Sequence, residues 1–235
     1  MDRPAVPTLA TFFNFTSVTN SETCPIVGLV GGVGSGKSSI AQSLAERSDA
    51  VAIDGDAAGH RALADDRIQA ALRDRFGEGI FDSDGSIDRG KLAQSVFGAS
   101  PEHEIARRDL EAITHPFIRA EIQSQIAAAQ ASAAPVVLLD AAILLETGWR
   151  ELCSHIVFVD ADEQHRRTRA IRRGWTTDQW RDREASQMNL AEKRRHADAV
   201  VENNGSISEA IDQMTQALSS WGVDLKDCVP AASPS

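Results

Sequence analysis

Short blocks of consecutive apolar residues alternate along this chain with longer stretches in which apolar positions recur every three or four residues. The blocks fall at residues 26–30, 51–53, 136–139, 156–159 and 199–201. The third and fourth lack clean alternation with polar residues, the pattern expected of parallel strands covered by helices on both faces. The intervening stretches predict helices over 38–47, 57–76, 91–97, 102–134, 163–195 and 206–221. Gly77 is placed to close the second of these, and residues 79–90, with Asp84-Gly85, read as turns. His115-Pro116 lies inside the fourth, so the helix is expected to end or kink there, or to restart with Pro116 in its first turn. Ser206 and Glu209 form a capping box for the last. Strands alternating with helices predict an α/β domain of three layers around a mostly parallel five-stranded sheet.

Composition narrows the class. A chain of 235 residues holds one substantial core, and 42% apolar with 25% charged residues is ordinary for a globular protein. A formal net charge of -10 opposes a surface devoted to DNA or RNA, though a local basic patch can still serve a phosphorylated ligand. Cys24, Cys153 and Cys228 are far apart and odd in number, so no disulfide framework or metal cluster is visible and a reducing cytoplasm fits. No run approaches the roughly 18 apolar residues of a membrane span, and the first segment lacks the basic start and unbroken apolar core of a signal peptide. Residues 1–24 are expected to be a loosely ordered extension and 228–235 a frayed tail, leaving residues 25–227 as the folded domain.

The chemistry enters with Gly31-Gly32-Val33-Gly34-Ser35-Gly36-Lys37-Ser38, a complete phosphate-binding loop after a strand and opening a helix. Glycines let successive N–H groups turn inward onto phosphate oxygens, and the positive end of the helix adds to the attraction. The nucleotide site then comprises Gly32, Val33, Gly34, Ser35, Gly36, Lys37, Ser38 and Ser39. Lys37 is expected to reach the β- and γ-phosphates of ATP, and the Ser38 hydroxyl to ligate Mg²⁺. No Asn/Thr-Lys-x-Asp guanine-reading motif is present, which sets GTPases aside.

Two strands run into carboxylates. Asp54-Gly55-Asp56 follows the second, at the edge where open parallel sheets bind ligands. One of the pair is placed to orient or deprotonate an acceptor hydroxyl; the plain alternative is an acidic turn or helix cap. Asp140 follows the third strand in the position of a Walker B carboxylate holding a magnesium-bound water, or else caps the next segment. Between Glu163 and His196, ten basic residues face five acidic ones. Arg169 and Arg173 share a helix face, and Gly174 permits a bend. The segment from about 166 to 196 reads as a lid whose arginines close over the nucleotide, with a solvated basic helix as the alternative.

Taken in order, these pieces resemble the dephospho-coenzyme A kinase family over about residues 26–221. The likeness rests on the phosphate loop, Ile53-Asp54-Gly55-Asp56, Phe76-Gly77, Asp84-Gly85-Ser86-Ile87-Asp88-Arg89, Leu92 with Val96-Phe97, and Ile113-Thr114-His115-Pro116. It continues through Leu139-Asp140, Leu144-Leu145-Glu146, Arg169, Arg173, Gln187, Lys193, Ala197-Asp198 and Asn203-Asn204-Gly205-Ser206. The resemblance implies transfer of the ATP γ-phosphoryl group to the ribose 3′-hydroxyl of dephospho-coenzyme A. It implies a helical acceptor-binding region at about 61–134, Asp56 as the carboxylate activating the hydroxyl, and Asp54 and His115 on the acceptor side. By the same resemblance Arg173 is the lid arginine near the phosphates, and Asn203 lies in the loop approaching adenine.

Two departures stand out. The family often has Pro-Leu-Leu where this chain has Ala142-Ile143-Leu144, and often has alanine where Gly55 stands, which is expected to loosen the backbone holding Asp56. A P-loop kinase for a nucleoside monophosphate or another small hydroxyl acceptor is the alternative function. An RNA-binding module is disfavoured by the absence of tyrosine and an aromatic content of 5%. No nucleic-acid, membrane or obligatory protein partner is expected.

Overall fold

The computed structural model describes residues 24–98 and 100–226. The expected tail, and the expected extension apart from Cys24, lie outside the described residues.

Five strands, β1 (Ile26–Gly31), β2 (Val51–Asp54), β3 (Val137–Asp140), β4 (His155–Asp160) and β5 (Ala199–Glu202), form one sheet in the order β2-β3-β1-β4-β5. Every neighbouring pair is parallel. Burial explains the lack of polar alternation in the three central strands β3, β1 and β4, which supply apolar side chains to both faces; in the edge strands β2 and β5, Ala52 and Val200 are exposed. Val27, Leu29, Leu138, Val157 and Val159 pack on one side against α1 (Lys37–Arg47) and α9 (Ile207–Ser220). Val30, Val137, Leu139, Ile156 and Phe158 pack on the other, against α2 (Gly55–Ala62) and α5 (Pro101–Ala131).

The long helix expected at 57–76 is two helices, α2 and α3 (Asp66–Phe76). The break has a local cause. Asp65 accepts from the backbone N–H groups of Arg67 and Ile68 and so caps a new helix. Gly77, at φ 75°, ends α3 as the sequence suggests. α4 (Arg89–Val96) is capped by Asp88, and its Leu92 and Val96 join Leu72, Ile80, Phe81 and Ala106 in a separate small core for the helical region.

Pro116 does not end its helix: α5 runs through it for 31 residues. Proline withholds the N–H that the Ala112 carbonyl needs, at a cost of about 3 kcal/mol. The apolar stripe of Ile118, Ile122, Ile126 and Ala129, continuing from Thr114, is buried along the helix and holds it together across the defect. The basic segment expected as one helical stretch is three helices: α6 (Glu163–Arg172), α7 (Thr177–Ala185) and α8 (Leu190–Arg195). Gly174, at φ 86°, makes the first bend, and Thr176 with Gln179 forms the capping box that starts α7.

Candidate active site

The phosphate loop joins β1 to α1. Gly34 and Gly36 have φ of 84° and 99°, left-handed conformations that glycine adopts without strain. No side chain caps the N-terminus of α1, so its first N–H groups are free to receive an anion. Lys37 is buried, and its Nζ donates to the carbonyls of Gly31 at 3.3 Å and Gly32 at 3.2 Å. Burial pushes its pKa down, with the Asp140 carboxylate the strongest opposing influence. Ser38 and Ser39 stand exposed on the first turn of α1.

Asp54 and Asp140 are register partners at the ends of adjacent strands, so both carboxyl groups arrive at the C-terminal edge of the sheet beside the loop. Asp54 caps α2, its Oδ1 accepting from Ala57 N–H at 2.9 Å. Asp56 lies in the first turn of the same helix. Although part of Asp56 stays open to solvent, the protein packed around it raises its pKa. Asp54 adds to that rise, while the Ala142 N–H, Lys37 and His60 oppose it. Asp140 is buried and its pKa is raised by desolvation; Lys37 and the nearby Ser38 hydroxyl pull the other way. The Ser38 hydroxyl and the Asp140 carboxylate therefore lie near each other at the mouth of the loop. That is a donor set for Mg²⁺, which takes a hydroxyl and a carboxylate or its bound water and completes its shell with substrate phosphates.

The looseness expected at Gly55 is absent. A Cβ at that position would come within 2.8 Å of the Ala141 Cβ and 3.2 Å of the Asp140 carbonyl. Glycine here lets α2 approach the end of β3 closely, and it fixes Asp56 instead of freeing it.

Arg169 and Asn203 grip the loop from behind. Arg169 donates to the carbonyls of Ser35 at 3.0 Å and Asn203 at 2.7 Å. The Asn203 side chain is buried, and its amide donates to the Ser35 carbonyl. Asn204 accepts from Asp162 N–H at 2.7 Å at the start of α6. Arg173 is exposed at the end of α6 and, among the described residues, makes no ion pair; its charge lowers the pKa of Arg169, second to burial. His115 stands on α5 with its ring edge-on to Trp149 at 5.9 Å, and burial lowers its pKa. The structure thus brings Lys37, Ser38, Asp54, Asp56 and Asp140 to one edge and ties Arg169 and Asn203 to the loop. Arg173 stands at the rim, and His115 is held through Trp149.

Several groups at the site escaped the sequence reading. Arg166 is buried against the loop and ion-paired to Glu184, whose other oxygen accepts from Val33 N–H at 3.1 Å. Trp180 Nε1 donates to the Val33 carbonyl at 3.0 Å. Lys193 is fully buried, donating to the Ala142 carbonyl at 3.0 Å and to Gln187 at 2.9 Å, and pairing with Glu146 at 3.1 Å. It pins the loop after β3 to α8. Lys193, Gln187 and Glu146 belong to the motifs quoted above, a usable signal. Nothing in the spacing connects Arg166 with Glu184.

The profile of the dephospho-CoA kinase family matches residues 25–209. A dephospho-CoA kinase of Symbiobacterium thermophilum is 39% identical over 195 residues, covering 82% of this chain and 79% of the relative. A crystal structure from Thermus thermophilus superposes with a TM-score of 0.71 at 29% identity, covering 85% of this chain and 98% of the other. The fold is shared too with a dephospho-CoA kinase from Campylobacter jejuni, at a TM-score of 0.52, 20% identity and coverage of 83% and 96%.

Proposed function

The chain belongs to the dephospho-CoA kinase family, and from that premise we propose how its own residues carry out the family's reaction. The reaction is transfer of the ATP γ-phosphoryl group to dephospho-CoA, the last step of coenzyme A synthesis. Phosphoryl transfer passes through a loose transition state with charge spread over the equatorial oxygens, so catalysis is chiefly positioning and electrostatics. The N–H groups of residues 32–39 and the Nζ of Lys37 hold the β- and γ-phosphates, Lys37 leaving the Gly31 and Gly32 carbonyls to do so. Ser38 and Asp140 are the residues that would hold Mg²⁺, which would supply neutralisation of the phosphate charge. Arg169 keeps the loop in shape, and Arg173 closes over the transferring group.

Asp56 is the carboxylate that orients the ribose 3′-hydroxyl and takes its proton. The observation that carries this assignment is its place two residues beyond Asp54 in the first turn of α2, near Lys37 and Asp140, with the Ala142 N–H supporting its ionised form. Asp54 is committed to the α2 cap, and His115 with the helical region faces the acceptor. No helix among the described residues is long and apolar enough to cross a membrane, and we take the cytoplasm as the site of action. The test is consumption of ATP with dephospho-CoA as acceptor, with product mass showing one added phosphoryl group. Faster turnover on AMP or another hydroxyl acceptor would overturn the assignment of substrate.

A further inference from the structure

Val33, at the tip of the phosphate loop, is held by the lid through both its N–H and its carbonyl. Its N–H donates to Glu184 Oε2 at 3.1 Å, and its carbonyl accepts from Trp180 Nε1 at 3.0 Å. The remaining oxygen of Glu184 pairs with Arg166, which is only 5% exposed and whose Nε donates to the Ala161 carbonyl at 3.0 Å. A Cβ on Gly32 would run into the Arg166 guanidinium, and one on Gly34 into its backbone carbonyl, so this arginine lies flat against the loop. Glu184 also acts electrostatically on Lys37.

A loop N–H, a guanidinium and the field of the loop lysine are the partners a phosphate takes in such a loop. Here a side-chain carboxylate has all three. A nucleotide brings a polyanion to the same groups, and two anions cannot share them. We propose that Glu184 is an internal competitor for the phosphate site. ATP displaces it from Val33 and Arg166, Arg166 passes from the carboxylate to a nucleotide phosphate, and α7 lets go of the loop tip. This rests on the loop being the ATP site but not on the identity of the acceptor.

The test uses the full chain without acceptor, and inorganic tripolyphosphate and adenosine as separate probes in titration calorimetry. Glu184→Gln keeps the shape and removes the charge, so it is expected to bind tripolyphosphate about tenfold more tightly, with adenosine binding unchanged. Unchanged or weaker tripolyphosphate binding would overturn the proposal, as would parallel losses for both probes, the mark of a structural role. A second measurement needs no Glu184 variant. Tripolyphosphate is expected to change the Trp180 share of the protein's fluorescence, obtained by difference from Trp180→Phe, while adenosine leaves it as it was. No change with tripolyphosphate, or an equal change with adenosine, would refute the exchange. If tripolyphosphate binds neither form, the ATP-site reading falls and the proposal with it.

Discussion

The side-chain amide of Asn203 donates to the Ser35 carbonyl at 2.7 Å, joining the loop after the last strand to the phosphate loop across 168 residues of sequence. The same amide occupies the space that a Cβ on Gly36 would need, so glycine at this position is required by packing as well as by its φ. The Ser35 carbonyl keeps a second donor in Arg169. Asn203→Ala therefore costs only about 1 kcal/mol, a fall of roughly 2–4 °C in Tm, with a raised KM for ATP. Asn203→Asp sets a buried carboxylate against a carbonyl and is expected to lower Tm further than alanine does. Thermal unfolding of the two variants decides it; equal losses would mean that the amide bond is not what Asn203 contributes.

Asp140 predicts a gain in stability at the expense of activity. Burial raises its pKa above the unfolded value, so the ionised carboxylate destabilises the fold. That destabilisation is fully present above the folded pKa and fades as the pH falls toward the unfolded one. Asp140→Asn is expected to raise Tm at neutral pH, by ~2–4 °C for each kcal/mol relieved, while lowering turnover through loss of the metal-side carboxylate. The Tm difference is expected to shrink as the pH is lowered. A drop in Tm at neutral pH would show that the attraction between Asp140 and Lys37 outweighs the cost of burying the charge.

What was legible in the sequence is what depends on neighbours along the chain. Gly31 to Ser38 announces its own turn and helix, and each of the apolar blocks is long enough to name its strand. Asp65 could have been recognised as a cap, because Asp65-Asp66 interrupts the apolar periodicity of 57–76. The continuity of α5 through Pro116 could not, because it depends on burial of Ile118 and Ile122 against the sheet. Arg166 read as one more surface cation; its partner lies 18 residues on, in a helix whose packing angle no local pattern encodes. Gly55 was legible as an exception but not as a close contact, since Ala141 approaches it from just beyond the end of another strand.

Ala142 predicts a pH effect. Its N–H favours ionised Asp56, whose pKa is raised by the protein packed around it and by Asp54. If Asp56 accepts the hydroxyl proton, turnover falls as the pH drops through that raised value, above the ordinary carboxylate value of about 3.9. Ala142→Pro removes the donor and is expected to move this acid limb to still higher pH. A pH profile of kcat in which the limb stays where it was would show that the Ala142 N–H does not act on the reacting carboxylate.

The two lid arginines are expected to part company. Arg169 is spent on the Ser35 and Asn203 carbonyls, whereas Arg173 is exposed and, among the described residues, free of any carboxylate. Arg169→Ala will weaken ATP binding by deforming the loop. If Arg173 meets the transferring phosphoryl group, as proposed, Arg173→Ala will lose far more kcat than ATP affinity. Equal losses in the two constants for Arg173→Ala would make it a ground-state clamp.

The pair Asp54 and Asp56 gives the sharpest test, because the two carboxylates lie two residues apart and do different things. Asp54 belongs to the strand and turns back onto the Ala57 N–H; Asp56 belongs to the helix and sits with Lys37, His60 and the Ala142 N–H. A ribose hydroxyl is a poor nucleophile at neutral pH, and a positioned general base contributes typically about 10²- to 10⁴-fold. Asp56→Asn is expected to keep MgATP binding and lose about that factor in kcat. Asp54→Asn retains a good capping residue and is expected to change little, while Asp54→Ala costs about 1 kcal/mol of stability. Kinetics at saturating ATP and acceptor, with calorimetric MgATP binding and Tm measured on the same preparations, separates the roles. A large kcat defect in Asp54→Asn with a mild one in Asp56→Asn would exchange their assignments. Mild defects in both would leave the reaction to the phosphate loop and lid, with no carboxylate base.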